Sequence, residues 1–577
     1  MANDMLHDFG SNKSEHLKRS TWLFPIETKT AVKQGALVPL GYYYNIPGEV
    51  ASDEVESLVR LALTPYKPFM GNMYFTYGAY FVPFRVLLKK FPEMFGNGKP
   101  SEWSSPTEYI VPQTQFAIGR GSLDTATAGV GYDSVVNTSI AAVNTGVVIS
   151  KPGNLADYLG LPPTVYDETG SLWINVLPFL SYERIWTDYW RDENYQNPDP
   201  DLEKCYDMAS GETNFINCRF CLHYANKFHD YFTSLLPNTQ KGAGVAATYP
   251  LDTLWSGNNP IMTKFTSNET GQYAAIFGNK NGVATNGSLT SSSVSGVTGV
   301  VGLTSSAGTI SNQLGSTNLG INISITELRN AFALQRAAER NARTGSRAMN
   351  EAMRGIFEAN APAILDKAEF LGGNTIKLNL VSVPQTNDTP GSLGAFSATG
   401  SNTKSFAKTL DEPGIVMYVG SVRIKHSYPF GIDRFWKKVR RYDFYDPALA
   451  HISEQPVYAY QLQALTAASA YNESVIGFNE AWVEYEKPVS LITGYLRGTD
   501  HDLRSWVLQD RRFTGGDEVV SPYQWYAEDG NEVAEICRDY NTNYDSYQFI
   551  IDFKAIIKRT ACKPLHSIPG FIDHLIA

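Results

Sequence analysis

Between Val422 and Gln461 the chain interleaves cations with flat rings. Arg423, Lys425, Arg434, Lys437, Lys438, Arg440 and Arg441 supply positive charge, while Tyr428, Phe430, Phe435, Trp436, Tyr442, Phe444 and Tyr445 supply aromatic faces. Cations neutralise phosphates and rings stack on bases, so the mixture suits single-stranded nucleic acid. The same residues also fit a strand and turn of an aromatic-rich core with solvated charges around it. Arg434, Lys437, Lys438, Arg440 and Arg441 are the first candidates for nucleic-acid contact.

A second group lies upstream. Arginines fall at 329, 336, 340, 343, 347 and 354. At about 100° per residue these project within one narrow sector of a helix. Such a stripe can follow a phosphate backbone, and it can equally be a solvated face paired with acids of a neighbour. Arg336, Arg340, Arg343 and Arg347 are the second candidates, with Gly345 expected to interrupt the helix. The cluster Lys13, His16, Lys18 and Arg19 is a third.

Catalytic and metal signatures are missing from the sequence. Cys218 and Cys221 form a single CxxC near His223 and Cys205. Structural zinc usually needs two spaced ligand pairs, so no metal site and no cofactor is expected. Nothing matches HExxH, GxSxG or a P-loop. The acids of Asn197–Glu203 lack calcium-loop spacing and read as a surface turn. Paired carboxylates such as Asp192 with Glu193, or Glu484 with Glu486, are too common in loops to imply glycosidase chemistry. The chain is read as a non-enzyme.

Composition bounds the class. The 577 residues are 43% hydrophobic and only 18% charged, below the usual quarter or so. Tyr (33 residues) and Phe (29) are abundant, and tyrosine is favoured where proteins meet because it buries a large ring yet keeps a polar end. The formal net charge is −10, so any nucleic-acid contact must be a local patch. Five cysteines in so long a chain argue against a disulfide framework and suit a reducing cytoplasm. Met1 to Thr21 is polar and reads as no signal peptide. No apolar run nears the roughly 18 residues that span a bilayer.

These residues need elements to hold them. Strand-like runs recur at Asn72–Phe84, Asn374–Val383, Gly414–Tyr428 and Ser546–Ile557, separated by turns rich in Gly (47) and Pro (30). The pattern predicts an all-β sandwich or jelly roll with long connections. Helices are predicted at Ser57–Leu63, at Pro178–Gln196 and from Thr326 onward. Phe370–Asn374 reads as a turn beside a strand. Residues 281–326 carry no charge and alternate Val and Leu with Ser, Thr and Gly; the composition fits a surface excursion of short β segments, or a flexible linker. Residues 119–150 read as a second exposed loop.

Several blocks, in order, resemble one family. They are VPLGYYYNIPGEV (Val38 to Val50), LVRLALTPYKPFMGNMYFTYGAYFVPFRVL (Leu58 to Leu87), INVLPFLSYERIWTDYWRDENYQ (Ile174 to Gln196) and KFHDYFTSLLPNTQKG (Lys227 to Gly242). TELRNAFALQRAAERNARTGSR (Thr326 to Arg347), AEFLGGN (Ala368 to Asn374), RRYDFYDPALAHISEQPVYAYQL (Arg440 to Leu462), FNEAWVEYEKPVSLITGYLR (Phe478 to Arg497) and SIPGFIDHL (Ser567 to Leu575) follow. Together they resemble the major capsid protein of gokushoviruses, small icosahedral single-stranded DNA phages of the Microviridae. The resemblance implies one eight-stranded antiparallel jelly roll over residues 1–577 with long inserted loops. It implies sixty copies in a T=1 shell around circular single-stranded DNA, made in the host bacterial cytoplasm. It also implies small internal DNA-binding or scaffolding partners, and an insertion near 255–322 that forms a threefold protrusion and meets a host receptor. The alternative is a large β-rich protein that binds or hydrolyses glycans.

Overall fold

The computed structural model describes residues 19–62, 70–95, 110–118, 147–148, 153–162, 170–208, 221–242, 325–343, 356–358, 366–379, 381–383, 394–396, 398–464, 469–497, 506–507, 525–528, 532–533 and 547–564. Two compact units divide the chain: Met1–Lys241 with Glu339–Ala577, and Gly242–Ala338.

Two antiparallel sheets form the core of the first unit. The strands are β1 (Ser20–Val32), β2 (Val38–Tyr44), β3 (Glu49–Leu61), β4 (Met73–Pro83), β5 (Glu369–Lys377), β6 (Thr399–Thr403), β7 (Ala407–Leu410), β8 (Gly414–Ile424) and, after the hairpin β9 (Glu454–Tyr458) and β10 (Val475–Glu480), β11 (Phe549–Ala561). One sheet runs β1-β11-β3-β6, with β7 also on β3; the other runs β2-β8-β4-β5. The chain crosses between sheets at nearly every step, which is jelly-roll connectivity. Helices are few and short apart from Ile325–Arg343.

Alternation in the sequence explains the first sheet. Along β3, Ala51, Asp53, Val55, Ser57 and Val59 point inward, while their neighbours face out. The stretch Ser57–Leu63, expected to be helical, therefore contributes to a strand through Leu61. Its apolar residues fit a period of two once they face a core. Ile551, Phe553, Ala555 and Ile557 of β11 are buried opposite. Phe553 packs edge-on against Tyr77 of β4 at 5.7 Å and against Tyr418 of β8 at 5.5 Å, joining the two sheets. Each such buried ring contributes about 2–3 kcal/mol.

The middle of the second sheet is buried on both faces. β8 is almost continuously buried, as its unbroken apolar run requires. Helix α1 (Leu177–Ile185) and the π-turn Trp186–Trp190 contribute to the same hydrophobic core, in the segment predicted to be helical. Tyr182 of α1 donates to Leu37 O at 2.7 Å, and Tyr189 lies 5.0 Å from Tyr80 of β4.

Two further expectations are corrected. Phe370–Asn374 is not a turn but lies inside β5. The glycines are there for closeness: a Cβ on Gly372 would stand 2.2 Å from Ser405 O, and one on Gly373 2.3 Å from Tyr77 O. Asn197–Glu203 is not a turn throughout, since Pro200 opens a short helix, Pro200–Tyr206. The two sheets have four strand positions each, and the one on the β3 edge is split between β6 and β7. Asp53 causes the break: its carboxylate accepts from Ser405 N at 2.9 Å and Phe406 N at 2.8 Å. Tyr418 of the facing sheet donates to the same group at 3.1 Å. The expected insertion at 255–322 lies outside the described residues. So does 119–150, except Val147–Val148, which pairs in parallel with Gln115 and Phe116.

Candidate nucleic-acid and subunit interface

β8 leaves the second sheet and runs directly into the basic and aromatic segment. Three 3-10 turns follow: Arg434–Lys437, Arg441–Asp443 and Pro447–Leu449. Each is set by an acid that accepts from nearby backbone. Asp433 takes Phe435 N at 2.9 Å, Asp446 takes Ala448 N at 2.9 Å, and Asp443 takes Arg440 N at 2.7 Å and Val439 N at 3.0 Å. Those N–H groups hold the Asp443 carboxyl below its usual range. The segment is tied down at its root. Ile432 N donates to Tyr460 O at 3.0 Å, and Gly431 leaves no room for a side chain because a Cβ would meet Gln461 O at 1.9 Å.

This scaffold presents apolar surface outward. Trp436 is 78% exposed and Val439 81%, with Phe435, Tyr442 and Tyr445 also exposed. Tyr485, Leu491 and Tyr495, from the segment after β10, are exposed as well. Soluble monomers seldom carry so many large apolar side chains on one stretch; interfaces do.

The cations separate into two kinds. Lys437, Arg440 and Arg441 are exposed. Lys437 Nζ lies 5.1 Å from the Tyr460 ring, and the Arg441 guanidinium 5.9 Å from Tyr442. Lys438 is different. Its side chain is 4% exposed, and Nζ donates to Glu484 Oε1 at 2.8 Å over the Tyr485 ring at 4.3 Å. Arg434 is half-buried, donating to Pro456 O at 3.1 Å with Glu484 Oε1 4.0 Å away. Arg434 and Lys438 thus hold the segment against β9 and the Glu484 turn. Three of the five cations face solvent.

Helix α2 (Ile325–Arg343) forms as its spacing predicts. Arg336 and Arg340 are exposed. Arg343 pairs with Glu454 of β9 and lies 3.5 Å from Glu480 of β10. Arg347 and Gly345 lie outside the described residues, as do Lys13, His16 and Lys18. Arg19 is spent on backbone, donating to Gly48 O at 2.6 Å and Thr560 O at 3.3 Å.

Two ligand-like groups occur in the interior. His223 Nε2 meets Glu183, its ring stacks on Trp186 at 3.9 Å, and Cys221 Sγ is 4.0 Å away. His426 Nε2 lies 2.9 Å from Glu528, with Glu532 3.7 Å from Nδ1. In both groups a carboxylate meets the histidine Nε2, a polar contact inside the core. Cys218 lies outside the described residues, and Cys205 is buried and forms no disulfide among the described residues.

Sequence reasoning missed Tyr485, Leu491 and Tyr495. The signal was present as apolar residues isolated between Lys487, Pro488 and Gly494, where no strand period continues.

A two-sheet antiparallel jelly roll that holds rings out on braced loops fits a protein that joins others. The family of the phage capsid protein (F protein) matches residues 11–140 and 124–514. The chain belongs to this family. It is 29% identical to the "Capsid protein VP1" of Spiroplasma virus 4, over 98% of each chain. It is 27% identical to the capsid protein VP1 of Chlamydia phage 1, covering 87% of this chain and 89% of the relative. The VP1 of Bdellovibrio phage phiMH2K is 27% identical over 85% of both. The protein is thus a phage capsid component, and its role is structural. No helix among the described residues is long and apolar enough to cross a membrane.

Proposed function

We propose that sixty copies of this capsid protein close into a T=1 shell around circular single-stranded DNA, assembled in the host cytoplasm. The observation that carries the reading is the braced segment 433–446, where exposed Trp436 and Tyr442 stand among exposed Lys437, Arg440 and Arg441. Rings and cations interleaved in this way serve stacking and phosphate neutralisation without sequence preference. Arg336 and Arg340 add charge, and Arg347 extends their stripe in the sequence. The remaining exposed apolar side chains, Val439, Leu491 and Tyr495, support subunit contact. Association then needs no chemistry, because burial of apolar surface drives it. The insertion at 255–322 forms the threefold protrusion that meets a host receptor, 119–150 is a second surface loop, and small internal DNA-binding or scaffolding proteins complete the particle.

Imaging of purified particles tests this reading. Closed shells of uniform size whose DNA content falls when Lys437, Arg440 and Arg441 become Ser support it. Particles with unchanged DNA content reject that patch, and a chain that stays monomeric at all concentrations rejects the shell.

A further inference from the structure

A cleft of about 420 Å³ opens beside the β4–β5 pair, away from the segment described above. Tyr80, Tyr189, Trp190 and Phe370 form its apolar walls, and Arg423 of β8 and Asn226 also line it. The rings are close together: Tyr80 lies 5.0 Å from Tyr189 and 5.4 Å from Phe370. Phe370 is half exposed at the mouth.

Arg423 is the anomaly. Its guanidinium sits 4.1 Å from the Phe228 ring and 5.0 Å from Trp190. Nη1 donates to Asn226 O at 3.2 Å. Among the described residues, Nε has no acceptor and no carboxylate lies within ion-pair distance. The Trp190 Nε1–H beside it also lacks an acceptor. Burial pulls the guanidinium pKa down to about 10, with Glu528 acting the other way. A buried cation without a counter-anion is costly, and unsatisfied buried donors are rare enough to need a reason. An anion entering the cleft supplies one. Arginine N–H groups match phosphate oxygens well, and aromatic walls match a flat base.

We propose that this cleft holds one nucleotide of the packaged strand, with its phosphate at Arg423 and its base against Phe370 and Tyr189. The inference rests on the reading that the shell contains single-stranded DNA, and it adds a discrete pocket to the open patch at 433–446. Gly373, which also lines the cleft, lets β5 approach β4 closely, since a Cβ there would stand 2.3 Å from Tyr77 O.

Calorimetric titration of the full chain with dAMP, deoxyadenosine and inorganic phosphate tests it. The expected result is dAMP binding at least about tenfold tighter than either fragment. Phe370→Ala, at a half-exposed site, should weaken dAMP about tenfold and leave phosphate unchanged. Arg423→Gln should abolish phosphate binding; Arg423→Lys, which keeps the charge, should retain part of it if the first variant fails to fold. Equal affinity for dAMP and phosphate overturns the proposal, as does a Phe370→Ala variant that binds dAMP normally. Tighter binding of N-acetylphenylalanine than of dAMP also overturns it, because the occupant would then be a peptide terminus. The DNA content of wild-type particles is measured separately, so empty shells would reject the packaging reading while the titration judges the cleft.

Discussion

The barrel interior and the 433–446 segment use the same residue types to opposite ends. In the barrel, Arg559 is buried and bidentate on Glu49 at 2.6 and 2.7 Å, also donates to Tyr44 O at 2.8 Å, and lies 4.6 Å from the Tyr43 ring. In the segment, Arg440 and Arg441 face water beside rings that are themselves exposed. A cation enclosed with its carboxylate holds a fold together; one left outside keeps its charge for another molecule. Lys438 and Glu484 show the boundary, since that pair belongs to the scaffold even though its neighbours in sequence do not.

The contrast can be broken most strongly in the barrel. Glu49→Gln should cost about 3–5 kcal/mol, because it strands the Arg559 charge in the interior; a denaturant midpoint unchanged from wild type would contradict this. Gly372→Val should be comparably severe, since even its first carbon meets backbone oxygen. A soluble protein with native near-ultraviolet dichroism would refute it. Lys438→Met should cost less, about 2 kcal/mol, because Glu484 retains some solvent. Changing Lys437, Arg440 and Arg441 to Ser should move stability by under about 0.5 kcal/mol while lowering packaged DNA. A large loss of melting temperature in that triple variant would erase the distinction between scaffold and patch.

Acidity sharpens the comparison further, with a small effect. Burial alone would lower the His426 pKa, but Glu528 beside it raises it above its usual 6.5. Burial alone would raise Glu528, but His426 pulls it below its usual 4.5. The histidine's contribution is present below pH 6.5 and lost as pH rises through its raised value. The glutamate's is present above pH 4.5 and lost as pH falls through its lowered value. Stability should therefore peak between these limits, and His426→Gln should flatten the alkaline side of a melting-temperature profile. An unaltered profile would remove this pair from the account.

Much of the barrel was legible in the sequence because strands facing a core advertise themselves by alternation or by unbroken apolar runs. β4 and β8 fall within the predicted stretches, and β11 begins in one but runs on past Ile557 to Ala561. The misreadings share one cause: short signals whose meaning depends on distant partners. Ser57–Leu63 has helical spacing in isolation, yet β11 on one side and β6 on the other make Ser57–Leu61 part of a strand. Gly372 and Gly373 look like a turn until Ser405 and Tyr77 press against them. The candidate site was legible as a composition of rings and charges, but not as a division of labour. Whether Arg434 and Lys438 are bonded inward depends on Pro456 and Glu484, which lie 22 and 46 residues away. The Arg423 cleft left no local trace, because its lining comes from five separate stretches of chain.

β11 sits between β1 and β3, matching β1 along its length from Ser20 with Ala561 to Val32 with Phe549. The first sheet therefore lacks its central member until the ribosome has emitted residue 561. Nascent or prematurely terminated chains would expose two unpaired strand edges. Strand order alone thus leaves the first sheet incomplete until late in synthesis.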